Sequence, residues 1–237
     1  MAVGIITGSG THALPGFDEA TVESVPTPFG EASVTRGSYD GVSALHVSRH
    51  GAGHARLSNH VTHRPNIWAL KELGAEFVIA CTACGAVDPT LPLGSLVVFD
   101  DLHFPFNRLP DGSLCTFFTE AGDVARGHWI LHGGPFSAAL REALLAAAEQ
   151  SGHAARDGGA YGHVDGPRFN TPCEIAALAD YANEVRPGEP TPIAKLIELM
   201  GASSAIFADV IRAALPRLSD PRPVAAGTVY RFAGPQG

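Results

Sequence analysis

Residues 3–7, Val3-Gly4-Ile5-Ile6-Thr7, form a short apolar run that stops abruptly in Gly8-Ser9-Gly10. A run of that length, ended by glycine, predicts a buried strand followed by a tight turn. Residues 32–36 and 42–47 flank Tyr39-Asp40-Gly41 and predict an antiparallel pair, with a turn before it at Thr27-Pro28-Phe29-Gly30. From 64 to 73 the apolar residues Ile67, Leu70 and Leu73 recur at helical spacing, and Pro65 suits a first helical turn. Residues 77–80 and 96–99 are continuous apolar runs, as expected of strands covered on both faces. A helix is predicted over 136–150, a strand over 160–164 and a helix over 171–182. The last is opened by Thr171 with Glu174 three residues on, the spacing of a capping box. The last third changes character. A Pro-rich linker at 186–192 leads into two helical patterns, 193–200 and 203–215, and no internal repeat is evident.

Strands that alternate with helices, with antiparallel signals among them, predict an α/β fold: a mixed central sheet flanked by helices. One domain over residues 1–215 is the simplest division, with 216–237 a loosely attached tail rich in Pro, Gly and Arg. The 237 residues are 45% hydrophobic and only 17% charged, which fits a compact, heavily buried chain. A net charge of −8 without a basic stripe argues against a nucleic-acid partner. No uninterrupted apolar run reaches the roughly 18 residues that span a bilayer, and no signal peptide opens the chain, so a cytoplasmic location is expected. The four cysteines are scattered, which fits a reducing compartment better than a disulfide framework.

The candidate chemistry gathers at strand ends. Ser48-Arg49-His50-Gly51-Ala52-Gly53-His54 places an arginine and two histidines on a glycine-loosened loop after an apolar strand. Such a loop lets a small anion approach both backbone and side chains. Gly8-Ser9-Gly10 is a second strand end of the kind where α/β sheets bind ligands, although the same three residues also suit an ordinary turn. Arg49 is equally at home in a surface ion pair, and His50 as a hydrogen-bonded core histidine. His54 reads more simply as support for the loop, and Asp165 and Arg168 as a structural pair around a Gly-Pro turn. His46, His50 and His54 recur every four residues, with His60 and His63 following, but Gly51 and Gly53 interrupt any helix and no HExxH is present. No metal is therefore expected. Cys81-Thr82-Ala83-Cys84 spells CxxC at the end of a strand, not at the helix start that redox chemistry uses.

Six collinear segments resemble the trimeric purine nucleoside phosphorylases, in particular their methylthioadenosine phosphorylase branch. They are Gly4-Ile5-Ile6-Thr7-Gly8-Ser9-Gly10, Thr27-Pro28-Phe29-Gly30, Arg49-His50-Gly51 with His54, Asn66-Ile67-Trp68-Ala69-Leu70-Lys71, Thr82-Ala83-Cys84-Gly85 and Gly166-Pro167-Arg168-Phe169. The resemblance implies a pentosyltransferase that cleaves a purine nucleoside with orthophosphate, giving free base and ribose 1-phosphate without any cofactor. It implies phosphate binding by Ser9, Arg49, His50, Thr82 and Ala83. It places Phe169 and Asn170 against the nucleoside, and it implies a homotrimer.

The chain also departs from that pattern. After residue 182 the family continues with a strand ending in Met-Thr, a Pro-Glu helix and a strand whose acidic residue or Asn contacts the leaving purine. None of these appears here, so the sheet is expected to be shortened on its C-terminal side. Thr62, His63 and Pro65 stand where the family usually has Asn, Tyr and Ala. Residues 101–106 likewise depart from its Gln-x-Ile-Asp pattern. Losing a preorganised group at the leaving base typically costs about 10²–10³ in rate. Two readings follow: a working phosphorylase with a rebuilt base site, or an impaired or regulatory relative that keeps only the phosphate cradle. A hydrolytic nucleosidase has less reason to carry Arg49-His50.

Overall fold

The architecture comes from a computed structural model that describes residues 2–8, 14–119, 128–131, 134–181, 193–218 and 227–230. At its centre is a five-stranded mixed sheet in the order β2-β3-β4-β1-β5. Strand β1 (Ala2–Thr7) lies between β4 (Val42–Ser48) and β5 (Ala75–Ala80) and runs parallel to both. Strands β2 (Asp18–Thr27) and β3 (Gly30–Tyr39) add an antiparallel meander outside β4. The turn between β3 and β4 needs two positive φ angles, 44° at Asp40 and 80° at Gly41, which an Asp-Gly pair supplies at little cost. The expected antiparallel pair is therefore present, and β2 extends it by a strand that the pattern did not announce. β2 is an edge strand whose residues are largely exposed, so no apolar alternation marks it.

Alternation along the sheet feeds two cores. On one face Ala2, Ala32, Val34, Leu45 and Val47 meet Ala69 and Leu70 of α1 (His63–Glu72). Gly4 is part of this contact: a Cβ there would sit 3.2 Å from both the Leu70 side chain and the Phe77 carbonyl. On the other face Val3, Ile5, Tyr39, Ala44 and Ile79 meet Ala143 of α2 (Ala138–Gln150) and Ile211 of α4 (Ile193–Ala214). Helix α4 is continuous where two helices were expected, since Gly201 and Ala202 do not interrupt it. By length and composition alone Glu198–Leu218 could cross a membrane. Here its apolar stripe, including Val210 and Ala214, packs against Ala147 and Ala148 of α2. The expected boundary at residue 215 falls in a 3-10 turn whose Leu215 and Leu218 are both buried.

The remaining strands form short pairs. β6 (Leu96–Val98) runs parallel to β9 (Ala155–Asp157), and β7 (Asp101–His103) parallel to β10 (Ala160–Gly162). The two pairs are one path bent at Gly158-Gly159, which have φ of 85° and 139° and face the Asp100 carboxylate. Gly159 donates its backbone N–H to Asp100 Oδ1 at 2.8 Å. A third pair, β8 (His128–Leu131) with β11 (Gly227–Tyr230), is antiparallel. Helix α3 (Pro172–Tyr181) opens with the expected box: Glu174 N–H donates to Thr171 Oγ1 at 3.3 Å, and Thr171 N–H donates to Glu174 Oε2 at 2.8 Å. The linker at 186–192, where the resemblance predicts a shortened sheet, lies outside the described residues.

A buried polar pair locks β1 to β4 below the strand ends: Thr7 Oγ1 and His46 Nε2 are 2.7 Å apart, and His46 is 4% exposed. Burial pushes the His46 pKa from 6.5 down to about 4. The unfolded chain therefore binds a proton that the native state refuses, so this contribution is complete above pH 6.5 and falls away as the pH drops towards 4. Urea unfolding should show about 2–3 kcal/mol less stability near pH 4.5 than near pH 7 from this group alone. His46→Gln should flatten that part of the profile. An unchanged acid slope in the variant would remove His46 as its source.

Candidate functional site

Parallel strands place their carboxyl ends together, and three of them meet at one end of this sheet. Arg49 N–H donates to the Thr7 carbonyl at 3.0 Å and Cys81 N–H to the Ile6 carbonyl at 2.8 Å. The residues following β4 and β5 are thereby fixed on either side of the end of β1. The Arg49 side chain crosses this end. Its Nη1 donates to the Cys81 carbonyl at 2.7 Å and its Nη2 to Thr82 Oγ1 at 2.9 Å. The guanidinium lies directly over Gly8, where a Cβ would overlap it. Gly8, Arg49 and Thr82, from three separately predicted segments, therefore converge on one spot.

A guanidinium has five N–H groups in a planar fork, and the two bonds just described use two. The remaining three are enough to grip an oxyanion while the brace persists. Burial lowers the Arg49 pKa from its ordinary value, but the group stays a cation at any physiological pH. Thr82 Oγ1 also donates a long bond, 3.4 Å, to the Ala83 carbonyl. Ala83 itself is exposed at the mouth of the site.

His50 is 8% exposed, and its Nδ1 lies 3.0 Å from the Arg56 carbonyl. A carbonyl only accepts, so Nδ1 carries the proton and Nε2 donates to a ligand only after protonation. Desolvation lowers the His50 pKa, with Arg49 and His54 adding repulsion. His54 stacks on His50 with ring centres 5.5 Å apart, the supporting role expected of it. Desolvation likewise lowers the pKa of His63, which also feels His163, Arg49 and His50. His63 is nonetheless solvent-accessible. An arriving anion supplies the negative charge that these imidazoles and Arg49 lack.

The fourth wall is β10 and the residue beyond it. Tyr161 and His163 share a face, ring centres 6.5 Å apart, and burial raises the Tyr161 pKa while Arg49 and Thr82 oppose the rise. His163 Nε2 stands 3.8 Å from Asp165 Oδ1, and its ring meets the edge of Phe104 at 4.3 Å. Asp165 thus partners His163, whereas Arg168 makes a two-pronged bond to Glu174 at 2.6 and 2.8 Å. The expected Asp165–Arg168 pair is replaced by these two. Tyr161, His163 and His63 were missed as site residues. The signal for Tyr161 and His163 was polar and aromatic side chains at alternate positions before the Gly-Pro turn, and that for His63 its place where the family usually has Tyr. Ser9 lies outside the described residues. Phe169 is 81% exposed on the loop before α3, and Asn170 is half-buried beside it.

The thiols offer no rival chemistry. Cys81 is buried and its pKa is pushed up to about 12, and burial also raises that of Cys84. Both are protonated at neutral pH and poor nucleophiles. Among the described residues no three His, Cys, Asp or Glu side chains are grouped to hold a metal ion.

Over residues 2–214 the sequence matches the model of the phosphorylase superfamily. The chain belongs to that superfamily. A probable 6-oxopurine nucleoside phosphorylase of Dictyoglomus turgidum is 34% identical over 186 residues, 78% of this chain and 68% of that one. A probable S-methyl-5'-thioinosine phosphorylase of Pseudomonas syringae pv. tomato is 36% identical over 176 residues, 73% and 69% of the two chains. The S-methyl-5'-thioadenosine phosphorylase of Geobacter sulfurreducens is 32% identical over 198 residues, 83% and 67%. In fold, the methylthioadenosine phosphorylase of Schistosoma mansoni in complex with tubercidin superposes with a TM-score of 0.78. That alignment has 22% identity and covers 95% of this chain and 94% of that one. The expected family and α/β architecture are thus both found. Within the superfamily fold, Gly8 is the position that lets Arg49 lie flat across the strand ends.

Gly8→Ala should displace the guanidinium and leave the sheet intact, because the overlap falls on the tip of a flexible side chain. Calorimetric titration with inorganic phosphate should show affinity reduced about tenfold or more, with the melting temperature nearly unchanged. Wild-type affinity in the variant would mean that the anion does not sit over Gly8.

Proposed function

We propose that this protein carries out phosphorolysis of purine nucleosides. The observation that carries the proposal is the Arg49 guanidinium, braced by Cys81 and Thr82 across Gly8 at the carboxyl ends of three parallel strands. Arg49, His50, Thr82, Ala83 and Ser9 hold orthophosphate, the co-substrate, and no cofactor takes part. Phe169 and Asn170 meet the nucleoside. A phosphate oxygen bonds to C1' of the ribose as the C1'–N9 bond breaks; that bond's electron pair leaves with the purine, which takes up the proton that hydrogen phosphate gives up on becoming the ester. The products are the free base and ribose 1-phosphate.

Catalysis then rests on position and charge. The anion is held where the sugar becomes oxocarbenium-like, and a fixed seat converts a two-body encounter into a local displacement. The named activities of the relatives, on 6-oxopurine nucleosides and on methylthio-nucleosides, define the substrates to try first. The working unit is a single domain that runs through residue 215 to the buried Leu218. It acts as a homotrimer in the cytoplasm, without nucleic-acid or membrane partners.

Inosine, guanosine, adenosine, methylthioadenosine and methylthioinosine, each incubated with and without phosphate, test the reading. Base should be released from at least one of them, and only when phosphate is present. No turnover by folded protein contradicts the proposal, and release without phosphate replaces it with hydrolysis. Arg49→Ala should raise the phosphate KM by about 10–100-fold, the range of a lost charge-assisted contact.

A further inference from the structure

The loop after β4 is held with more care than a surface connection needs. Gly51, Gly53 and His54 have φ of 73°, 63° and 57°, and the last is a non-glycine residue in the left-handed region. The loop is closed twice between the same two residues. Arg56 N–H donates to the His50 carbonyl at 2.9 Å, and His50 Nδ1–H donates to the Arg56 carbonyl at 3.0 Å.

Arg56 is then tied to the body of the protein. Its Nη1 donates to Thr62 Oγ1 at 3.2 Å, and Thr62 Oγ1 donates to Asn66 Oδ1 at 3.5 Å. Asn66 is buried in the first turns of α1, 4% exposed, and its N–H donates to the Thr62 carbonyl at 3.2 Å. The polarity is consistent throughout, since arginine only donates and the threonine hydroxyl has one hydrogen to pass on.

Thr62 is also the residue before the first turn of α1, where a hydroxyl normally accepts from a helix N–H and stabilises the helix. Its side chain makes no such capping bond. The hydroxyl instead accepts from Arg56 and reaches Asn66 only by a long contact, so the helix starts without a side-chain cap.

We propose that Arg56, through Thr62 and Asn66, is the positioning element for His50: its carbonyl holds Nδ1–H, which orients the ring and favours the imidazolium whose Nε2–H donates to phosphate. The proposal rests on the reading that His50 belongs to the phosphate seat. Neither Arg56 nor Thr62 touches the reacting atoms. They act by holding the Arg56 carbonyl where only one tautomer satisfies it.

Two variants remove the tie without creating a large void: Arg56→Leu keeps the stem, and Thr62→Val keeps the shape. Each should raise the phosphate KM by about 3–10-fold, leave the nucleoside KM unchanged and shift the melting temperature little. Thr62→Ser should restore the wild-type value. In a His50→Gln background, Arg56→Leu should add no further loss. Nitrogen-15 imidazole spectra of the wild type should show His50 as the Nδ1–H tautomer, and those of Arg56→Leu a mixture of both tautomers. An unchanged tautomer and phosphate KM in both variants would overturn the proposal, as would an equal rise in both KM values. The spectra need no turnover. An intact tautomer shift in a protein that fails to bind inorganic phosphate would therefore overturn the seat and leave the relay standing as a structural device.

Discussion

The site depends on one guanidinium laid across three strand ends. Arg49 reaches from the end of β4 over the end of β1 to the backbone and hydroxyl that follow β5. Only parallel strands deliver three chain ends to one edge, and only a glycine at position 8 leaves room for the fork to lie flat. The order β4-β1-β5 in turn needs the small Gly4 beneath Leu70 and the buried Thr7–His46 pair that ties β1 to β4. Core packing on both faces therefore sets where a single cation stands.

Around that cation the field is one-sided. His50, His63 and His163 all have lowered pKa values with desolvation as the first cause, so burial works against a proton on each imidazole. Arg49 keeps its charge. A cleft of this kind attracts an anion and is indifferent or hostile to a cation, which is also why the histidine spacing that suggests a metal site leads nowhere. Among the described residues Asp165 stands against His163, 3.8 Å from its Nε2.

Much of this was legible in the chain, for identifiable reasons. β1, the β3–β4 hairpin and α1 announce themselves because each buries one face or both and ends in a glycine or an Asp-Gly turn. The Thr171–Glu174 box is readable because capping is local in sequence. β2 was not readable because an exposed edge strand carries no apolar alternation. The path from β6 to β7 was blurred by its bend at Asp100 opposite Gly158-Gly159, a pairing of distant residues. Helix α4 was divided at Gly201-Ala202 by weak local propensity that packing against α2 overrides. In the site, Arg49, His50 and Thr82 could be named from loop chemistry and resemblance. The contributions of Tyr161, His163 and His63 could not, because they arise only when separate strand pairs and α1 close around the same cleft. Phe169 was expected against the nucleoside and stands largely in solvent, so its part rests on the proposed reaction and not on packing.

The account stands or falls on where phosphate binds. A crystal structure of the full chain grown with inorganic phosphate tests this most directly. The account predicts a tetrahedral anion over Gly8, within hydrogen-bonding distance of the Arg49 guanidinium and Thr82 Oγ1, with His50 still bonded through Nδ1 to the Arg56 carbonyl. Phosphate bound elsewhere, with Arg49 still closed over an empty Gly8, would contradict it.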